Sequence, residues 1–288
     1  MAKAALQTTL ARPVTKEGIG LHTGAPAAVS LLPADPHLGL VFVSEAQVEI
    51  PARAEFVVDT RRTTTLGRDG AVVSGVEHVL AALWTMGVDN ARIAVRSSEV
   101  PACDGSAREW VELIRQAGKT RLGAARRVLP LSQPVWVGGE SGWSAALPAR
   151  ALSLGVVVEY QGTAAGGQAL WLPLTERRFA EELAPARTFC LQQEYEALLA
   201  SGLARGGSLE NAFVVEADGY SGPLRFPDEV VRHKALDLVG DLALCGLRFT
   251  GQVIAMRPSH RLNVELARAV QASVGAGAEP AIVRCTTR

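Results

Sequence analysis

Along the 288-residue chain, His233, Asp237 and Asp241 recur four residues apart in Val231-Arg232-His233-Lys234-Ala235-Leu236-Asp237-Leu238-Val239-Gly240-Asp241. Residues four apart on a helix drift only about 40° around its axis, so an imidazole and a carboxylate at that spacing can close on one metal ion. A catalytic zinc needs one more protein ligand, usually another imidazole, and an open position for water. Glu77-His78 offers that imidazole, together with a carboxylate able to take a proton from the water. Each piece also has a plainer reading. Ser74-Gly75-Val76-Glu77 fits a capping box in which Glu77 turns back to the Ser74 amide, leaving His78 an ordinary, partly buried histidine. Arg232 and Lys234 can pair with Asp237 and Asp241 on a solvated helix face. Against that, carboxylates on an otherwise apolar face are costly to bury without a partner.

Further side chains suit amide cleavage. His260 follows Pro258-Ser259 at an expected strand-to-helix junction. A leaving amine needs a proton, and a histidine held by a carboxylate is a suitable donor near neutral pH. Asp241 is the candidate carboxylate, and the pairing would raise the imidazole pKa; otherwise His260 simply opens a helix. Thr188, in Ala186-Arg187-Thr188-Phe189, carries a hydroxyl suited to a developing oxyanion, and Lys234 a positive charge. A strand residue and a solvated lysine are their plainer readings. His22, within Gly18-Ile19-Gly20-Leu21-His22-Thr23-Gly24, belongs to a glycine-punctuated turn or to a substrate-facing loop. Asp104, before Gly105-Ser106, is expected to cap the next helix.

The elements that must carry these residues occur in the same order twice: strands, helix, strand, helix. In the first half, apolar alternation predicts strands over 27–32, 40–43 and 48–58. A helix opened by Ser74 runs to about Met86 and stops at Gly87; a strand over 91–95 and a helix from about Ser106 to Ala117, stopped by Gly118, follow. After a basic stretch, 121–127, strands are predicted over 134–137, 143–147 and 152–160. Asp228 is the expected N-cap of a long helix reaching Gly246, followed by a strand over 252–256 and a helix from about Ser259 to Ala272. Residues 162–168 read as a loop and Gly206-Gly207-Ser208 as a tight turn, after a helix over about 191–200. The tail from Gly275 onward is expected to be peripheral.

Composition narrows the function classes. Hydrophobic residues make up 48% of the chain, and 29 basic side chains balance 29 acidic ones, so there is ample core and no global field. No basic stripe or stacking motif points to nucleic acid. No segment approaches the roughly 20 apolar residues that span a bilayer, and residues 1–20 lack the apolar run of a secretory signal, which leads to the expectation of a cytoplasmic protein without stable membrane insertion. Cys103, Cys190, Cys245 and Cys285 are scattered, which argues against a disulfide framework or a thiolate zinc site and for small, mostly buried residues. The length admits one large or two medium domains; the repeated order favours two, residues 1–123 with Glu77 and His78, and residues 124–288 with the other candidate ligands.

Seven motifs then fall in register from about residue 7 to residue 274: GIGLHTG (18–24), VEHVLAA (76–82), PACDGSA (101–107), ARTF (186–189), GGS (206–208), VRHKALDLVGDL (231–242) and HRLN (260–263). Together they resemble the UDP-3-O-acyl-N-acetylglucosamine deacetylases of lipid A biosynthesis. The resemblance implies an α+β fold of two similar domains, each a two-layer sandwich, with the active site between them. It implies a zinc-dependent amidase that removes acetate from the 2-acetamido group of the acylated UDP-sugar. By similarity His78, His233 and Asp237 hold Zn2+, with another divalent ion as the alternative, and Glu77 is the base. His260 with Asp241 is the acid and its orienting partner, and Thr188 and Lys234 stand around the carbonyl. His22, Phe189, Leu198 and Leu203 are the expected substrate contacts, the leucines from an insertion near 190–207 that builds an apolar passage for the acyl chain. A monomer is expected. Two departures stand out: Ser259 replaces the glycine common before the histidine, which would shift His260 or crowd the leaving group, and the 161–168 loop lacks features expected near the sugar nucleotide. The competing functions are a deacetylase of a different acylated amino sugar on this scaffold, and a non-catalytic zinc protein that binds lipid precursors. Glu77 and His260 count against the second, because neither is needed merely to hold a metal.

Overall fold

Alternation of apolar residues builds the first sheet. In the computed structural model, which describes residues 5–275, Ala27, Val29 and Leu31 of Pro26–Leu32 are buried, together with Ala91, Ile93 and Val95 of Ala91–Val95. From edge to edge the strands are Val14–Ile19, Pro26–Leu32, Ala91–Val95, Leu40–Val43 and Glu49–Pro51. Only Ala91–Val95 and Leu40–Val43 run parallel. Helix α1 (Glu77–Thr85) precedes the central strand and α2 (Arg108–Ala117) follows it. Gly118, at φ 68°, supplies the left-handed residue that stops α2.

The second half repeats this plan. Val135–Gly139, Gly142–Leu147, Gln252–Met256, Ser153–Tyr160 and Gly166–Pro173 form a second five-stranded sheet. Again the last strand in sequence lies in the centre, parallel only to the third. Between the fourth and last strands come α3 (Glu176–Arg178), which runs on into a π turn at Phe179–Leu183, α4 (Gln192–Ala200) and α5 (Glu229–Ala243); α6 (His260–Gly275) follows the central strand. The expected α+β sandwich is therefore present in both halves, and the repeat extends to strand order and direction. We propose a division into two domains at residue 123, near the end of the strand Lys119–Ala125, which pairs antiparallel with Leu6–Leu10.

The two halves meet where α1 packs against α5, within one continuous apolar core. Their approach depends on Gly240. A Cβ added there would lie 2.0 Å from the Glu77 carbonyl oxygen, so a side chain at this point would force the helices apart.

Several expected elements change. The strand predicted over 48–58 is broken into Glu49–Pro51, a 3₁₀ turn at Ala54–Phe56, and Val57–Asp59, because Pro51 has no N–H to carry the ladder onward. Ser74 does not open α1. It ends the strand Ala71–Ser74, and its hydroxyl accepts from Thr65 Oγ1 at 3.0 Å. The predicted 162–168 loop is shorter, since Gly166, Gly167 and Gln168 already pair with Tyr160, Glu159 and Val158. Asp228 precedes α5 as expected, but its carboxylate accepts from Arg232 Nε; the Val231 N–H donates instead to Gln168 Oε1 at 3.0 Å. Cys245 is buried, whereas Cys103 and Cys190 are only partly so; all three are free thiols. Cys285 and the tail beyond Gly275 lie outside the described residues. Among the described residues no helix is long and apolar enough to cross a membrane.

Candidate active site

The first turn of α1 and the buried face of α5 bring the candidate ligands together. One donor atom each from His78, His233 and Asp237 lies within 4.8 Å of the others. His78 Nε2 is 3.5 Å, and His233 Nε2 3.4 Å, from Asp237 Oδ1. Tetrahedral zinc bonds of about 2.0–2.1 Å separate neighbouring donors by about 3.3 Å, so these gaps suit a shared ion better than direct hydrogen bonds. Only an N–H can face a carbonyl, so His233 Nδ1 donates to Ala186 O at 3.1 Å. That fixes the tautomer and leaves Nε2 as the ligating atom. Burial pushes His233 down to about 4, against the opposing pull of Asp237, so the ring is neutral at pH 7 as a ligand must be. Burial would raise Asp237, but His233 and Lys234 hold it well below the usual carboxylate range. Lys234 Nζ donates to Asp237 Oδ2 at 2.5 Å, and despite burial the Asp237 charge raises the lysine above its ordinary value. Two imidazoles and one ionised carboxylate form a donor set that fits zinc with a coordination position to spare.

Glu77 does not turn back to Ser74. Its Oε1 accepts from Thr63 Oγ1 at 2.7 Å and its Oε2 from the Thr64 N–H at 3.1 Å. The capping box is thereby excluded, and α1 starts with no side-chain cap. One turn beyond Asp237 on α5, Asp241 is fully buried. Its Oδ1 accepts from Thr64 Oγ1 at 2.6 Å, and its Oδ2 from His260 Nδ1 at 2.8 Å and Asn263 Nδ2 at 3.0 Å. The other ring nitrogen, His260 Nε2, is 3.9 Å from Asp237 Oδ2. Burial alone would lower the His260 pKa; the Asp241 charge and hydrogen bond, with Asp237 and Glu77, raise it to about 9. Ser259 leaves this arrangement intact. Its hydroxyl accepts from the Leu262 N–H at 3.3 Å and so caps α6.

Glu77, His78, His233, Asp237 and His260 line a cleft of about 320 Å³ together with His22, Thr188, Phe189, Lys234 and Tyr160, while Asp241 lies buried behind His260. Thr188 is set by its N–H, which donates to Gly105 O at 2.8 Å. Phe189 stands edge-on to His233, with ring centroids 6.0 Å apart, and stacks on Phe213. A second, mainly apolar cavity of about 250 Å³ shares Leu21, His22, Arg62, Thr188, Phe189 and Cys190 with the first, and Tyr195, Leu198 and Phe213 extend it. Leu203 lies outside the lining of both; its N–H donates to Leu198 O and Ala204 takes the place in the wall. The His22 loop is clamped by buried Glu99, whose carboxylate accepts from the His22 and Thr23 N–H groups and from Thr23 Oγ1. Asp104 does not cap α2, whose N-cap is Ala107 without a side-chain bond; it accepts from the Ser106 N–H, at 3.2 Å, just before the helix and pairs with Arg225 from the second half. Thr63, Thr64, Asn263 and Glu99 are functional neighbours that sequence reading misses. The HRLN motif contains Asn263, so that one had a signal; the others sit in aperiodic loop sequence.

The family described as UDP-3-O-acyl N-acetylglycosamine deacetylase matches residues 7–272 of this chain. A UDP-3-O-acyl-N-acetylglucosamine deacetylase of Anaeromyxobacter dehalogenans is 43% identical over 273 residues, covering 94% of this chain and 89% of the relative. One from Myxococcus xanthus is 43% identical over 269 residues, covering 92% and 86%. One from Chlamydia trachomatis is 42% identical over 265 residues, covering 90% and 93%.

Proposed function

The chain belongs to the UDP-3-O-acyl N-acetylglycosamine deacetylase family, and on that premise we propose that it hydrolyses the 2-acetamido group of UDP-3-O-acyl-N-acetylglucosamine, releasing acetate and the free amine that commits the sugar to lipid A. The reading rests above all on one observation: His78, His233 and Asp237, from two halves of the chain, converge beside Glu77 and His260 in a single cleft. We take the bound ion to be zinc, which supplies Lewis acidity toward the carbonyl and lowers the pKa of a water to around 7.

The chain's own residues divide the proton transfers. Glu77, with both oxygens held by Thr63 and Thr64, takes a proton from the water as its oxygen adds to the acetamide carbon. Thr188 donates to the tetrahedral oxyanion, and Lys234 adds positive charge beside it. His260 enters the cycle protonated; Nδ1–H stays on Asp241 while Nε2–H passes to the amide nitrogen as the C–N bond breaks. One water is consumed, acetate and amine leave, and proton exchange with solvent resets Glu77 and His260. The apolar cavity that shares wall residues with the cleft suits the 3-O-acyl chain, with Phe189 and Leu198 in its wall and His22 lining both. A monomer acting in the cytoplasm on the nucleotide-sugar substrate completes the proposed reading.

The test is turnover of the acylated UDP-sugar by purified protein, with metal counted per chain. One bound zinc, acetate release abolished by a chelator and restored by zinc, and Glu77→Ala losing at least a hundredfold in kcat while keeping its zinc are the expected results. Faster turnover of another acylated amino sugar would move the assignment to that substrate; zinc-loaded wild type inert on both would end the enzymatic reading.

A further inference from the structure

The general base and the carboxylate behind the general acid are held by two consecutive residues. Thr63 Oγ1 donates to Glu77 Oε1, the Thr64 N–H donates to Glu77 Oε2, and Thr64 Oγ1 donates to Asp241 Oδ1. The Thr64 carbonyl accepts from the Gly75 and Val76 N–H groups at 3.2 and 3.4 Å, docking the same residue on the start of α1. Every polar group of Thr64 is therefore used, and the residue has no solvent exposure. The turn that presents the pair passes through Arg62 at φ 69°, a left-handed conformation unusual for a residue with a long side chain.

We infer that Thr63-Thr64 is a positioning element that sets the general base Glu77 and the His260–Asp241 pair relative to each other, a role distinct from binding metal or substrate. The inference rests on the proposed deacetylase reading. Glu77 is carried by α1 and Asp241 by α5, so helix packing alone fixes only their backbones. A carboxylate with one unpaired oxygen rotates about its last bonds. Here Glu77 has a fixed donor on each oxygen, and Thr64 is common to both carboxylates. On the His260 side, Asn263 completes the grip on Asp241. Water transfer to Glu77 and proton delivery from His260 occur in one cleft around one carbonyl, so a fixed spacing between the two carboxylates sets how well both steps are aligned.

The prediction separates positioning from plain stability. Thr63→Val and Thr64→Val keep shape and remove the hydroxyl; each should lower kcat by about 10- to 100-fold with KM and zinc per chain near wild type. Thr63→Ser and Thr64→Ser restore the donor and should recover kcat to within about threefold. In a Glu77→Ala background, Thr63→Val should cost less than about twofold, because its effect passes through Glu77. Thr63 lies at the cleft wall, so that cycle decides the matter even where Thr64→Val fails to fold. Valine variants with wild-type kcat, losses shared by the serine variants, or an undiminished Thr63→Val effect without Glu77 would each overturn the inference. An inert wild type or a fully active Glu77→Ala would instead bring down the deacetylase reading itself.

Discussion

His260 is gripped at Nδ1 and open at Nε2, and that asymmetry makes its charge state a readable quantity. Its pKa lies near 9 because Asp241, Asp237 and Glu77 outweigh burial, so the imidazolium persists through neutral pH and the basic limb of activity should fall near that value. Asp241→Asn keeps the shape and deletes the main attractive charge. It should move the basic limb to lower pH and reduce kcat by about 10- to 100-fold, as a pH–rate profile will show; an unmoved limb would mean that His260 is not the titrating acid. Stability follows the same sign. A histidine whose folded pKa is raised above about 6.5 contributes stability that is fully present below that pH and fades as pH rises through about 9. The difference in urea midpoint between wild type and His260→Gln should shrink over that window. At this scale the six principal residues were legible because the chain has only five histidines, and helical spacing of four groups one of them with two carboxylates. Thr63 and Thr64 were not. Threonine is common and is usually satisfied by its own backbone, and the Thr64 contact to Asp241 spans 177 residues of sequence, so nothing local marks it.

Helix α1 is positioned from both ends by its neighbours. At its start, Gly240 lets the Glu77 carbonyl approach α5. At its end, carbonyls of the last turn and the cap accept from cations: Trp84 O from Arg248 Nη1 at 2.8 Å, Gly87 O from Arg126 Nη2 at 2.8 Å, and Met86 O from Lys119 Nζ at 2.5 Å. Partly buried Asp89 in turn pairs with both Arg126 and Arg248. Because the C-terminal end is pinned, a push at the N-terminal end cannot be absorbed by sliding the helix along its axis. Gly240→Ala should therefore rotate Glu77 and His78 away from α5. A destabilisation of about 1–3 kcal/mol, together with a drop in bound zinc, is expected from urea titration and metal analysis; full zinc occupancy in the variant would show that the contact is slack. The sequence exposed the strands Leu40–Val43, Ala91–Val95 and Gln252–Met256 and the starts of α5 and α6 to within a residue, since each is a clean apolar period after turn residues, whereas the ends of both helices differ from expectation by three residues. It hid the sheet formed by Val57–Asp59, Thr65–Arg68 and Ala71–Ser74. Those strands have three or four residues, carry Arg, Gly and Asp, and are held mostly by pairing with each other.

Across the whole molecule, the repeated order of elements could be read from periodicity, but the placement of the last strand at the centre of each sheet could not, because it depends on pairings between residues far apart in sequence. That placement has a consequence. In each half the helix entering the central strand, α1 or α5, faces its counterpart, so a metal between His78 and the His233–Asp237 pair ties one half to the other. The halves also hold together without it, through the Arg248 contacts to Trp84, Val88 and Asp89 and through the Arg225–Asp104 ion pair. Metal removal should then loosen the chain without unfolding it. Zinc at a thousand times its Kd stabilises the native state by about 4 kcal/mol, so chelation should lower Tm by several degrees while far-ultraviolet circular dichroism stays native. His78→Ala removes the one ligand supplied by the first half and should lose most of the zinc-dependent rise in Tm. His22→Ala, in the same cleft but outside the ligand set, should keep that rise. A His78→Ala protein that gains as much Tm from zinc as wild type does would place the metal within the second half alone, and the bridging role of α1 would have to be abandoned.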